Sequence, residues 1–134
     1  MARASVRVVR AADRSTPTVV TPGMERQEAF TREGVWIGTV RTQPGAATGW
    51  HHHNAYESYV FVLKGQARME FGPSGRDALV CLPGDLIEVP PGVIHRELTE
   101  GAEPVEAVLF RIGSGEVTTN TDGPEPAEGN GRDR

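Results

Sequence analysis

Histidine is scarce in this 134-residue chain, and its positions carry the first chemical signal. The four histidines are His51, His52, His53 and His95. Alternate side chains of an extended strand point the same way, so His51 and His53 can direct two imidazoles at one point while His52 points away. A third imidazole would then have to come from His95. The sequence therefore predicts a site for one divalent transition metal, with Fe, Mn, Ni, Cu and Zn all suited to imidazole ligands.

A carboxylate follows the histidine triplet. Glu57 lies four residues after His53 and has the same parity in a strand without a bulge. Three roles are open for Glu57: a metal ligand, an acceptor for an imidazole N–H, or an exposed strand acid. Tyr59 and Arg41 are the other catalytic candidates, because a phenol can supply a proton and a guanidinium can pair with a substrate carboxylate. Packing for Tyr59 and solvation for Arg41 are the alternatives.

Short apolar runs separated by glycine and proline predict an all-β domain. In Gln66–Phe71 every second residue is apolar, which places Ala67 and Met69 on a core face. Helix signals are weak, so residues 22–31 are expected to be a loop or a single helical turn, and residues 5–9 an added edge strand. The predicted strands cover residues 35–42, 57–64, 66–71, 77–82, 86–89, 94–98 and 105–112.

His95 follows a turn that the sequence makes unavoidable. Pro90 and Pro91 cannot donate ladder hydrogen bonds, so the strand before them ends and His95 opens the next one. Arg96 and Glu97 then face opposite sides of that strand, with Arg96 assigned to the outside. Two hairpins that each deliver histidines near a strand start would build a metal site in the mouth of a β-barrel.

Both histidine segments resemble sequence motifs of the cupin superfamily, and the chain is similar to a small single-domain cupin of the conserved-barrel type (cupin 2). The resemblance covers residues 35–112. The first motif is matched by Gly45, His51, His53, Glu57 and Gly65, and the second by Gly84, Pro90, Gly92 and His95. The resemblance implies a single antiparallel jelly-roll β-barrel with a divalent metal held by His51, His53 and His95, with or without Glu57.

Two positions depart from these motifs. Seven residues separate Glu57 from Gly65, where the first motif has six. If Gly65 sets the register, the place of the acid belongs to Ser58, which is a poor ligand. Thr99 stands where the second motif ends in Asn.

The resemblance also implies a class of function. It indicates a metal-dependent enzyme acting on a small molecule inside the barrel, with a dioxygenase first and a Lewis-acid isomerase, cyclase or lyase second, in bacterial secondary metabolism. The alternative is a cupin module that binds or senses a metal or ligand without turnover. A homodimer formed through N-terminal strands is a further implication.

Composition limits the partners and the location. The chain has 14 Lys and Arg against 18 Asp and Glu, a net charge of −4, and its arginines are scattered, so no nucleic-acid partner is expected. No apolar run approaches the ~20 residues of a membrane span, and no signal-peptide core is present, so we expect no membrane partner and a cytoplasmic protein. The lone Cys81 excludes a disulfide framework and is expected to be buried and inert.

The expected organisation has three parts. Residues 1–30 form an N-terminal arm with edge strands or a dimer contact, residues 31–114 form the barrel, and residues 115–134 form a flexible acidic tail rich in Gly and Pro.

Overall fold

The structure is a computed structural model that describes residues 4–16 and 21–127, and nearly all of its regular secondary structure is β-strand. The strands are β1 (Met24–Arg32), β2 (Val35–Thr42), β3 (His51–His52), β4 (Glu57–Lys64), β5 (Gln66–Phe71), β6 (Asp77–Cys81), β7 (Leu86–Val89), β8 (His95–Glu100), β9 (Val105–Ile112) and β10 (Thr119–Asn120). A single 3-10 turn spans Ala11–Asp13. Within the described ranges, no helix has the length and apolar character needed to cross a membrane.

The strands form two antiparallel five-stranded sheets. Sheet I has the order β1-β2-β9-β4-β7, and sheet II has the order β10-β3-β8-β5-β6. Val62 and Val89 of sheet I pack against Met69 and Cys81 of sheet II, so the two sheets enclose a shared apolar core. The all-β antiparallel jelly roll expected from the sequence is confirmed. Cys81 is buried as predicted, and burial raises the pKa of its thiol.

The alternation of apolar and polar residues correctly predicted the positions of most strands. Five predicted strands have the observed bounds, β6 ends one residue earlier than predicted, and β8 covers His95–Glu100 instead of residues 94–98. Gly65 joins β4 to β5 with a φ of 81°, and a Cβ at this position would collide with the carbonyl oxygen of Pro104. The tight hairpin there therefore requires glycine.

The expectation of a loop or helical turn at residues 22–31 was wrong, because this segment is strand β1 at the edge of sheet I. Its pairing with β2 shifts register between Glu28 and Phe30. A β-bulge of this kind interrupts the alternation of inward and outward side chains, which concealed the strand. The edge strand expected at residues 5–9 is not formed, although the Arg7 guanidinium lies 5.5 Å from the Phe30 ring.

The C-terminal segment is more ordered than its composition indicated. Thr119 and Asn120 pair with His52 and His51, so β10 extends sheet II. Glu125 forms a further β-bridge with Pro73. Of the expected flexible tail, residues 115–127 therefore include segments that pair with the barrel, and residues 128–134 lie outside the described residues.

Candidate metal centre

The three predicted histidines converge at one end of sheet II. His51 and His95 are directly paired across β3 and β8. The centroids of the imidazole rings lie 4.4 Å apart for His51 and His95, 5.0 Å for His51 and His53, and 5.1 Å for His53 and His95. All three side chains are buried. With Glu97, they place four potential ligand atoms within 4.8 Å of one another, and we call these four residues the metal cluster.

His52 takes no part in the metal cluster. It pairs with Thr119 in the β3–β10 ladder, and its Nδ1 accepts a hydrogen bond from the backbone N–H of Asn54 at 3.1 Å. This position agrees with the prediction that His52 points away from its neighbours, because side chains alternate along an extended segment.

Each histidine of the cluster is oriented by a backbone carbonyl. The Nδ1 atoms lie 2.8 Å from the carbonyl oxygen of Gly49 for His51, 2.9 Å from that of Val117 for His53, and 2.9 Å from that of Val93 for His95. A carbonyl oxygen only accepts, so each Nδ1 carries the proton. In the neutral ring Nε2 then keeps its lone pair, and the carbonyl holds the ring in the orientation in which Nε2 can bind a metal.

Glu97 supplies the carboxylate of the metal cluster. Its Oε2 lies 3.7 Å from Nε2 of His51 and 3.6 Å from Nε2 of His95. Glu97 shares its strand face with His95 because the two are separated by one residue in β8. Arg96 between them faces outward as predicted, with its guanidinium 4.7 Å from the Trp50 ring and its Nε donating to Glu70 at 2.6 Å.

The electrostatics of the cluster favour a cation. Burial alone would raise the pKa of Glu97, but the imidazoles of His51 and His95, whose Nε2 atoms lie 3.7 and 3.6 Å from its Oε2, outweigh burial and hold that pKa well below the usual range. Burial lowers the pKa of His53 to about 4, so its imidazole is neutral at pH 7. Burial also opposes protonation of His95, but the Glu97 carboxylate 3.6 Å away outweighs burial and raises the His95 pKa. A divalent ion would replace the proton that Glu97 attracts to His95.

Glu57 is not brought to the histidines. Ser58 is buried and lines the interior, so its neighbours on β4 face the outer side of sheet I. Glu57 lies there near Tyr59, and burial together with the carboxylates of Glu57 and Glu88 raises the pKa of Tyr59. Gly65 therefore sets the register of the first motif, and the position of its acid falls on Ser58. In the metal cluster, Glu97 provides the carboxylate that was expected from Glu57.

Tyr59 and Arg41, the other catalytic candidates, also lie away from the cluster. Tyr59 pairs with Phe110 and Glu88 on the outer side of sheet I, and neither Tyr59 nor Arg41 lines a cavity near the histidines. Arg41 is exposed, opposite Glu25 and Glu106 in the ladders of β2.

An open cavity of about 740 Å³ adjoins the metal cluster, and we call it the mouth cavity. Its volume lies within the range of roughly 300–1,000 Å³ that is typical of small-molecule sites. A smaller cavity of about 70 Å³ lies further inside the barrel, beside His95 and Glu97. The mouth cavity is lined, among others, by His51, His53, Arg26, Trp36, Arg111 and Thr118.

Sequence reasoning missed four contributors to this site: Glu97 as a ligand, Arg26, Arg111 and the segment around Val117. A local signal existed for two of them. Glu97 has the parity of His95, and Arg111 continues the inward series of Ala107 and Leu109 along β9. Arg26 precedes a bulge, and Val117 contributes only its backbone carbonyl. The alternation of apolar and polar residues along the sequence therefore indicated neither of them.

Comparisons with known proteins agree with this architecture. Residues 38–111, which are 74 of the 134, match the Cupin domain family. No curated protein sequence matches the chain.

Solved structures with the same fold have low sequence identity. KdgF from Halomonas sp. is 18% identical with a TM-score of 0.67, covering 82% of this chain and 96% of that one. An RmlC-like cupin from Shewanella frigidimarina is 17% identical with a TM-score of 0.66, covering 82% and 93%. Oxalate decarboxylase from Bacillus subtilis is 22% identical with a TM-score of 0.70, covering 90% of this chain but only 33% of that one. The family match extends over more than half of the sequence, and the chain belongs to the cupin family.

Proposed function

We propose that this protein is a metal-dependent enzyme that acts on a small organic molecule in the mouth of the barrel. One observation carries the proposal: three imidazoles with their Nδ1 atoms held by carbonyls, and one carboxylate, converge beside a cavity of about 740 Å³. Structural metal sites are closed by protein ligands, whereas catalytic sites keep an open position for substrate. The adjoining cavity supports the catalytic kind.

His51, His53, His95 and Glu97 would hold the ion. Their mixed nitrogen and oxygen donors suit Fe, Mn, Ni, Cu or Zn, and a six-coordinate ion with four protein donors retains roughly two free positions. When bound, the metal supplies Lewis acidity or electron transfer to dioxygen. The structurally similar oxalate decarboxylase of Bacillus subtilis has Mn(II) centres, which supports a metal here without identifying it.

Residues of the chain itself would prepare the site for substrate. Neutral His53 and ionised Glu97 offer lone pairs at neutral pH, and the inner wall of Val62, Leu109 and Ala107 limits water behind the cluster. Dioxygenase chemistry is the first reaction class and Lewis-acid isomerisation, cyclisation or lysis the second. We also propose that the enzyme acts in bacterial secondary metabolism.

Metal analysis tests the site. Protein purified without a tag is expected to contain close to one equivalent of a transition metal, and His51→Ala and His95→Ala are expected to lose it. His52→Ala is the matched control, because His52 is adjacent in sequence but outside the metal cluster. Equally low metal content in the wild type and in His51→Ala would refute the metal site.

Substrate assays then separate the reaction classes. Fe(II)-loaded protein is incubated with catechols, flavonols, β-diketones and thiols in an oxygen electrode, with product analysis in parallel. Oxygen consumption with product supports a dioxygenase, and product without oxygen consumption supports an isomerase, cyclase or lyase. Saturable binding without product under any metal would favour the alternative, a cupin that senses its ligand.

A further inference from the structure

Among the described residues, two arginines in the mouth cavity have no acidic partner. Arg26 on β1 and Arg111 on β9 both line this cavity together with His53. Neither belongs to a salt bridge formed within the described residues. Arg26 uses Nη1 to donate to Thr21 Oγ1 at 3.0 Å, and its Nη2 lies 3.9 Å from the Met24 sulfur. Both contacts are neutral, so no acidic side chain in residues 4–16 or 21–127 balances the positive charge of Arg26.

Arg111 is the more confined of the two. Its Nε is buried and, across the part of the chain that the structure describes, has no hydrogen-bond partner. Its guanidinium lies 5.6 Å from the Trp36 ring. Burial, and then the nearby charge of Arg26, lower the pKa of Arg111 to about 10. Confining a cation in this way costs free energy unless an anion compensates it.

The nearby carboxylates are already engaged. Glu97 contacts His51 and His95, and it would face the metal when one is bound. Glu28 accepts a hydrogen bond from Nε1 of Trp36 at 2.8 Å. A counter-ion for the arginines would therefore have to enter from solution through the mouth cavity.

We propose that the mouth cavity binds an organic acid, whose carboxylate pairs with Arg111 and Arg26 while the rest of the molecule extends toward the metal cluster. The planar guanidinium matches a carboxylate in bidentate geometry, and such charge-assisted pairs are stronger than neutral ones. The cavity volume of about 740 Å³ accommodates a small organic acid. This inference deepens the proposed function by naming the substrate class. It rests on the proposed function only where the bound acid is said to extend toward the metal cluster.

The test uses metal-free protein and two probes of the same shape and different charge, benzoate and benzamide. Binding is measured by ligand-observed NMR, and by the change in melting temperature that each probe produces. Benzoate is expected to bind and to stabilise the wild type, and benzamide to do neither. Arg111→Gln is expected to weaken benzoate binding by about ten- to a hundredfold, since a hydrogen bond to a charged group contributes about 1.5–3 kcal/mol.

Control variants address position and folding. Arg26→Gln is expected to weaken benzoate binding as well, and Arg41→Gln to leave it unchanged, because Arg41 lies outside the mouth cavity. Arg111→Lys retains the charge without the planar fork and is expected to bind benzoate with intermediate affinity. If Arg111→Gln fails to fold, as judged by circular dichroism, Arg111→Lys and Arg26→Gln decide the question.

Three outcomes would overturn the proposal: equal binding of benzoate and benzamide, benzoate binding that is unchanged in Arg111→Gln and Arg26→Gln, or tighter binding of inorganic phosphate than of benzoate, which would indicate a phosphorylated ligand. Because no metal is present, absence of a metal site would leave these measurements intact. The two proposals can therefore fail separately.

Discussion

At the level of single residues, the proton balance of the metal cluster follows from the contact between Glu97 and His95. The 3.6 Å approach of these two groups couples two opposite shifts, a lowered pKa for Glu97 and a raised pKa for His95. Glu97 therefore makes His95 bind a proton more tightly than a free imidazole does, and a metal competes with that proton, so metal binding is expected to weaken in acid.

Glu97→Gln tests this coupling. In metal-free protein the substitution is expected to lower the pKa of His95, because burial then acts without the opposing carboxylate. An NMR titration of the imidazole resonances measures it. His53, whose pKa is set mainly by its own burial, provides the internal comparison. An unchanged His95 pKa would contradict the coupling.

The same pair predicts a pH window for stability. The raised pKa of His95 stabilises the fold fully below the unfolded value of 6.5, and this contribution disappears as pH rises through the folded pKa. The lowered pKa of Glu97 stabilises the fold fully above 4.5, and this contribution disappears as pH falls through its folded pKa. Both conditions hold between pH 4.5 and 6.5, so the stability advantage of metal-free wild type over Glu97→Gln should be largest there. Urea unfolding at several pH values would show it.

Arg111 illustrates a conflict between stability and binding in one residue. Arg111→Met is expected to raise the free energy of unfolding of the ligand-free protein by about 1–2 kcal/mol, because it removes a partly buried cation that has no acidic partner among the described residues. Arg41→Met at an exposed position should change it by less than about 0.5 kcal/mol. Both are measured by urea denaturation. Destabilisation of Arg111→Met by more than the control would show that Arg111 serves the fold itself.

At the level of elements, the C-terminal segment completes the metal cluster. The carbonyl of Val117 orients His53, and Thr118 Oγ1 lies 3.3 Å from the same Nδ1. β10 holds this segment in place by pairing with the short strand β3. The segment predicted to be a flexible tail therefore includes a support of the site.

Truncation after Gly115 tests that support. It removes the Val117 carbonyl and β10, and it is expected to weaken metal binding by about ten- to a hundredfold, the usual effect of losing a group that orients a metal-binding histidine. Competition with a chromophoric chelator measures the affinity. Truncation after Ala127 is the matched control and should bind metal like the full chain. Equal affinities of the two truncated proteins would remove Val117 from the account of the site.

At the level of the whole molecule, apolar side chains lie next to one another on the outer side of sheet I. Cross-strand neighbours form two adjacent rows, one of Leu86, Phe61 and Val108 and one of Tyr59, Phe110, Ile37 and Phe30. Leu86 is 76% exposed and Phe110 is 37% exposed. The homodimer implied by the resemblance remains a prediction, and we propose that a second copy of the chain covers these rows.

Light scattering tests the assembly. A dimer would have twice the 14.5 kDa mass of the chain. Phe110→Glu is expected to yield monomers, because it places a charge in the centre of the apolar rows. Val80→Glu on sheet II, where Val80 is 45% exposed and pairs with Arg68, should leave the mass unchanged. A monomeric wild type would contradict the proposal.

Much of the fold and part of the site could be predicted from the sequence because they depend on local alternation. Strand periodicity and turn residues located β2, β4, β5, β7 and β9. The alternation of side chains along a strand also predicted that His51 and His53 converge, that His52 points away and that Arg96 faces outward. These features depend on neighbours within a few residues, so they can be inferred before any long-range contact is known.

Only the tertiary structure decided the rest, because it depends on how distant strands pair. A bulge after Glu28 concealed β1, and the inward position of Ser58 excluded Glu57 from the metal cluster. Arg26 and Arg111 are 85 positions apart and meet because β1 and β9 both flank β2. The spacing of the histidines thus determined that a metal could bind, whereas the register and order of the strands decided which carboxylate joins them and which charges line the mouth cavity.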